Sequence, residues 1–194
     1  MLKRSLRDLA PLLALWIAVG AYYVFVVSAG ERPRWYAWSM YYDQQAAAFR
    51  AGHLHLLEPP SHALMALKNP YDIANMPHWR WDYVYYHGRL YFYFGLVPAF
   101  IAAAVKVALD GAVVGDNALT FAFFVVRLVA GTLLIRQVAR RAVPPPPRWA
   151  VWLAMLVFAL ANPTPFTLAR AAVYEAAIAG GVGFMMMGLL FGYQ

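Results

Sequence analysis

The chain has 194 residues, 63% of them hydrophobic, with a mean hydropathy of +0.53. A soluble domain is about 45–50% apolar, so the composition excludes an ordinary soluble globular protein. Cysteine is absent, which excludes disulfides, thiolate metal sites and cysteine nucleophiles. The net charge of +7 comes from basic residues gathered at the ends of apolar runs. That pattern fits membrane topology and contact with anionic headgroups rather than nucleic acid.

Residues 1–9, MLKRSLRDL, are short and basic. Residues 10–29 then form an uncharged apolar run of the length needed to cross a hydrocarbon core. A secretory signal would have a shorter apolar region, so the run reads as an uncleaved first span. Lys3, Arg4 and Arg7 place the N-terminus in the cytoplasm.

Residues 30–116 read as a large extracytoplasmic loop. It opens on Trp35, Tyr36 and Trp38, residue types suited to a membrane interface. Residues 38–51 read as an interfacial helix, with Ser39 as its cap and Gly52 at its end. Trp38, Tyr42, Ala46 and Phe49 give that helix an apolar stripe. The stretch NPYDIANMPHWRWDYVYYHGRLYFYFG follows, too polar for a span and too aromatic for an ordinary loop. His53 and His55 alternate as residues on one face of a strand would, but no metal-ligand spacing such as HExxH accompanies them, and no metal site is assigned.

Residues 91–109 are apolar enough for a helix but contain Gly95, Pro98 and Lys106. Parity bears on them. The loop at 136–148 carries Arg136, Arg140, Arg141 and Arg148 without an acid, so it too is cytoplasmic. An even number of spans must separate it from the N-terminus. With 10–29 and 117–135 as spans, 91–109 lies in or on the outer leaflet. Two more spans follow, at 149–165 and 172–193, joined by an outer turn at 166–171. The expected fold is an all-α polytopic membrane protein with about four transmembrane helices and interfacial helices in its first large loop. The ending FGYQ, with no polar tail, reads as the end of an N-terminal piece of a longer polytopic protein.

The order of these parts resembles the C-type (GT-C) membrane glycosyltransferases that use polyprenyl-phosphate sugars. Protein O-mannosyltransferases of family 39 and the aminoarabinose transferases of lipid A belong to that group. The resemblance rests on one span leading to a large outer loop that opens on an acid-bearing helix, YYDQQAAAFRAGHLHL. It continues through a surface-lying segment, YFYFGLVPAFIAAAVKVALDG, a span ending in LLIRQVARR, and the outer turn Arg170-AAVY-Glu175. More narrowly, the PYD motif, the WD-x-VYYHGRLYFYFG run and the later R-x-x-VYE resemble a bacterial subgroup of such enzymes.

The resemblance implies transfer of a sugar from a polyprenyl-phosphate donor at the outer face of a bacterial inner membrane. It implies that Asp43 is the general base, or positions the acceptor or a metal, and that Glu175 faces the same cavity. Arg170 would bind the donor phosphate, for which a guanidinium is suited. Asp72, Asp82, Arg89 and Tyr86 are substrate-loop positions without an assigned role. No cofactor is implied beyond room for a divalent cation. The expected partners are the lipid-linked sugar and the bilayer, with no nucleic acid. The rival readings are a non-catalytic protein of an envelope complex and a transporter, the latter favoured only by Arg127 inside a span.

Overall fold

The computed structural model describes residues 2–31 and 35–193, with side chains described from residue 9 onward. The side chains of Lys3, Arg4 and Arg7, on which the orientation of the first span rests, lie outside the described residues. In chain order the elements are α1 (Leu2–Val27), α2 (Tyr41–Arg50), α3 (His62–Met65), a 3₁₀ helix (Ile73–His78), β1 (Tyr83–Tyr86), β2 (Arg89–Phe92), α4 (Val97–Ala108), α5 (Asp116–Arg141), α6 (Arg148–Leu160), α7 (Thr164–Ala169) and α8 (Val173–Gly192). The chain is an all-α polytopic membrane protein apart from one two-stranded hairpin. Among the described residues, four stretches are long and apolar enough to cross a membrane: Leu9–Val27, Asp116–Arg141, Arg148–Ala169 and Val173–Gly192. The residues divide into two compact units, Met1–Ser39 with Asp116–Gln194, and Met40–Gly115.

The four long helical stretches make up the first unit. On α1, Leu12, Val19, Tyr23 and Val27 are buried while Leu13, Ile17 and Phe25 are exposed, so one stripe faces the bundle and the other faces outward. Trp16 Nε1 donates to Thr132 Oγ1 on α5 at 2.9 Å, and Tyr23 Oη donates to the Ala159 carbonyl of α6 at 2.7 Å. α5 and α8 lie side by side because α8 presents small residues, Ala176, Ala179, Gly180 and Gly183, all buried. Small residues spaced four apart let helix backbones approach closely. A Cβ added at Gly183 would lie 3.0 Å from the Phe123 carbonyl oxygen.

The contacts fix the running directions. Phe123 of α5 meets Gly180 and Gly183 of α8, and Gln137 and Arg141 reach the Tyr193 carbonyl, so α8 runs parallel to α5. Ser39 Oγ donates to Asp116 Oδ2 at 2.5 Å and Asn117 Nδ2 to the Tyr36 carbonyl at 2.7 Å. Residues 39 and 116 therefore meet at one end of this unit. Ser39, expected to cap an interfacial helix, instead bonds Asp116. That helix, expected over 38–51, is α2 and starts at Tyr41, with Met40 at its N-cap and no side-chain capping bond.

The expected span at 149–165 is broken. α6 ends at Leu160, and α7 (Thr164–Ala169) covers the end of the expected span and the first part of the expected turn at 166–171. The cause is Asn162-Pro163-Thr164-Pro165, whose prolines cannot continue a hydrogen-bond ladder. Asn162 repairs the break: its Nδ2 donates to the Phe158 carbonyl and its Oδ1 accepts the Thr164 N–H, both at 2.8 Å. Backbone groups freed inside a membrane need such partners.

In the second unit, α2 and α4 pack through Ala46, Ala48, Ala99 and Ala102, all fully buried, and the stacked rings of Phe49 and Phe100, 4.6 Å apart. α2 ends as expected at Gly52, whose φ of +77° and whose N–H to Phe49, with His53 N–H to Ala48, form a Schellman motif. The expected helix over 91–109 is a correction. Tyr91 and Phe92 belong to β2, and α4 starts only at Val97, where Pro98 suits a first turn. With 12 residues, α4 is about 18 Å long, short of a hydrocarbon core of about 30 Å.

Candidate functional site

The aromatic stretch folds as a hairpin. β1 and β2 pair antiparallel with Tyr83 opposite Phe92 and Tyr86 opposite Arg89. His87 and Gly88 close it with φ of 46° and 73°, both positive, as a type I′ turn requires. Period-2 alternation turns Leu90 and Phe92 inward. Leu90 joins Leu56 and Leu64 in a small core, covered by Trp79, Tyr83 and Tyr85.

Over that core lies a cleft of about 310 Å³. Its floor is Leu64 and Leu90, and its walls include Tyr71, Trp79, Trp81 and Tyr93. Polar groups stand among the rings. Asp82 accepts from Tyr93 Oη at 3.0 Å, and Tyr71 Oη donates to the Tyr85 carbonyl at 2.9 Å. Trp79 Nε1 donates to the Pro70 carbonyl at 2.7 Å, which fixes its ring. Arg80 is clamped by Glu58 at 2.5 Å and Gln44 Oε1 at 2.9 Å, and its guanidinium lies 4.8 Å from the Tyr83 ring centre. The cleft thus offers large apolar faces, of which Trp81 is 64% exposed, together with a carboxylate and a guanidinium.

Asp72 and Asp82, alike in the sequence, differ in the structure. Asp72 is the N-cap of the 3₁₀ helix: its Oδ1 accepts the Ala74 N–H at 2.9 Å, and the side chain is exposed. Asp82 sits at φ +64°, a conformation aspartate tolerates better than most residues, and lines the cleft. Arg89 and Tyr86 are at the hairpin tip, outside the cleft lining. Arg89 Nη1 lies 3.4 Å from His55 Nδ1, and the Tyr86 ring meets His87 edge-on at 4.1 Å. The His53 and His55 rings are 4.7 Å apart, though no strand carries them.

Asp43 lies in the first turn of α2. Its Oδ1 is 2.6 Å from Lys106 Nζ of α4 and accepts the Val114 N–H at 2.7 Å. Both side chains are largely buried, at 15% and 7% exposure. The carboxylate joins α2, α4 and the chain after α4. A proton taken by Asp43 must go to its other oxygen or displace Lys106.

In the first unit, Glu175 is at the third position of α8 and its Oε2 accepts the Ala172 N–H at 3.3 Å. This is the glutamate half of a capping box, which alanine cannot return. Arg170 is exposed just after α7, and among the described residues it forms no ion pair with Glu175. Arg127 is an inter-helix contact. It donates to Thr164 Oγ1 and to the Phe158 carbonyl, each at 3.2 Å, with its guanidinium 4.3 Å from the Phe158 ring centre.

Most of the cleft's lining comes from the aromatic stretch, which reads in the sequence as the floor or lid of a site; the hairpin that shapes it is what the structure adds. The His-Gly pair between two aromatic runs was the available signal for the hairpin. Comparison with protein-family models, with curated proteins and with solved structures finds no match in any of the three.

Proposed function

We propose that this chain belongs to a membrane glycosyltransferase that takes a sugar from a polyprenyl-phosphate donor at the outer face of a bacterial inner membrane. The cleft under Trp81 and Tyr93 is the observation that carries the reading. A pyranose has flat C–H faces and a rim of hydroxyls. Aromatic rings complement the faces, and a carboxylate and a guanidinium take the hydroxyls. A cleft of about 310 Å³ is at the small end of ligand pockets, which suits one sugar residue rather than a long glycan. The four apolar stretches supply the bilayer setting that a lipid-linked donor requires.

In this proposal Arg170 holds the donor phosphate, Glu175 is the acid nearest to it in sequence, and Asp43 acts on the acceptor. The test is transfer of labelled sugar from polyprenyl phosphate by the full-length protein, with Asp43→Asn, Glu175→Gln and Trp81→Ala beside the parent. Loss of transfer in folded variants supports the reading. Undiminished transfer by Asp43→Asn and Glu175→Gln removes both from the chemistry.

The ion pair of Asp43 with Lys106 favours a second reading, a sugar-binding envelope protein without transferase activity. Sugar binding at the cleft with no transfer from any polyprenyl-phosphate donor would establish that reading instead.

A further inference from the structure

The first unit has another concavity, formed by the start of α1, the end of α5 and the start of α6. Its volume is about 520 Å³, and Arg136, Arg140 and Arg148 line it together with Leu12, Trp152 and Met155. Arg136 and Arg140 are four apart on α5 and so share a face. Arg148 opens α6 from the other side. Among the described residues, no acid lines this cleft. The neighbouring Arg141 is differently occupied, donating to the Tyr193 carbonyl at 2.6 Å with its guanidinium 5.0 Å from the Tyr193 ring centre.

A cytoplasmic excess of arginine is ordinary in membrane proteins. Diffuse topogenic charge needs no cleft, however, and does not need to meet an apolar floor. Leu12 and Met155, which line the cleft with the three arginines, are almost fully buried. Further along, α1 and α6 also line an apolar groove of about 360 Å³, with Leu15, Val19 and Tyr22 of α1 and Leu156 and Leu160 of α6. On α1 the step from Leu12 to Leu15, Val19 and Tyr22 keeps one helical face. That run rises about 15 Å. A cluster of cations and an apolar groove therefore follow one another along α1 and α6.

We propose that this is a binding site for an anionic glycerophospholipid of the leaflet that the arginine loop meets. The phosphate lies among Arg136, Arg140 and Arg148, where planar guanidiniums form charge-assisted hydrogen bonds with its oxygens. One acyl chain lies along the α1–α6 groove. The site is separate from the aromatic cleft, and it does not depend on the glycosyltransferase reading.

The test uses the full-length protein in detergent, with bound lipids counted by native mass spectrometry. Dioleoyl phosphatidylglycerol and dioleoyl phosphatidylcholine are the probes, and inorganic phosphate is the competitor. Phosphatidylglycerol should be retained at one molecule per chain and preferred over phosphatidylcholine by roughly tenfold or more. Joint replacement R136Q, R140Q and R148Q should remove the preference. Replacement of the same three by lysine keeps the topogenic charge and should preserve part of it, which separates binding from misfolding. Leu156→Trp, which fills the groove, should weaken lipid retention and leave the arginines intact. Equal retention of the two lipids, or a preference unchanged in the glutamine variant, overturns the site. Displacement by millimolar inorganic phosphate, with no effect of Leu156→Trp, overturns the lipid and leaves a phosphate site.

Discussion

Asp43 and Lys106 form a buried ion pair, 2.6 Å long, that joins α2 to α4, and the same carboxylate oxygen accepts the Val114 N–H. Removing one member of such a pair leaves an uncompensated charge, at a cost of about 3–5 kcal/mol. Asp43→Asn should therefore destabilise the unit containing residues 40–115 by about 3 kcal/mol, read by hydrogen exchange within α2 and α4. Adding Lys106→Met should recover most of that loss. Transfer activity that returns in the double variant shows a structural role for Asp43. Activity that stays absent while stability returns shows a chemical one.

The aromatic cleft separates two tryptophans by role. Trp81 is 64% exposed, whereas Trp79 is fixed by its bond to the Pro70 carbonyl. Trp81→Ala should leave thermal stability within about 0.5 kcal/mol and weaken binding of a monosaccharide ligand by roughly 3- to 10-fold. Trp79→Ala should instead lower stability, since it uncovers Leu56, Leu64 and Leu90. Titration of both variants with a panel of monosaccharides distinguishes these effects. Unchanged binding by Trp81→Ala would remove the cleft from sugar recognition.

At Gly131 of α5, an added Cβ would stand 2.1 Å from the Phe158 ring. That ring is also the partner of the Arg127 guanidinium. Gly131→Ala must displace it, and overpacking of this kind costs about 1–3 kcal/mol. Phe158→Leu should suppress the defect in part by making room, at the expense of the cation–π contact. Thermal unfolding of the two single variants and the double variant in detergent gives the comparison. Additive losses would show that Phe158 is not the obstacle.

His55 carries a pH dependence. Desolvation first, then the positive charge of Arg89, then His53, hold its imidazole below its usual value. In the unfolded chain its pKa is near the ordinary histidine value of about 6.5. Between that value and the lower folded one, the unfolded chain binds more protons, so stability rises with pH. The contribution is complete above about pH 6.5 and is lost on acidification through the lower folded pKa. The Leu56 N–H, bonded to the Leu90 carbonyl at 2.9 Å, is a nearby reporter. Its protection, corrected for intrinsic exchange, should fall between pH 7 and pH 5, and His55→Gln should flatten the change. Greater protection at acid pH would contradict this.

The spans were legible because length and hydropathy alone define them. Residues 10–29 fall largely within α1, 117–135 within α5, and 172–193 closely match α8. Boundaries were less legible where charge and conformation compete. α5 runs on to Arg141, beyond the apolar run, because arginine is a good helix former whose head can reach water. The 149–165 span hid a break, since its repair depends on Asn162 reaching Phe158 and Thr164. The hairpin was obscured because β1 and β2 are aromatic on both faces, which masks the period-2 alternation. Asp72 and Asp82 were alike as sequence, and only the fold makes one a cap and the other a cleft residue.

The bonds from Ser39 to Asp116 and from Asn117 to Tyr36 also make residues 40–115 an insertion between two clamped points. The first unit holds its own two ends of this insertion together through these bonds. A joint of about four residues in its place should lower the entropy of closing that loop by about 2–3 kcal/mol. The shortened chain should therefore still assemble its helices, with the Trp16–Thr132 and Tyr23–Ala159 bonds intact. In engineering terms, that outcome would make the membrane unit an acceptor frame and residues 40–115 an insert carried at a single joint.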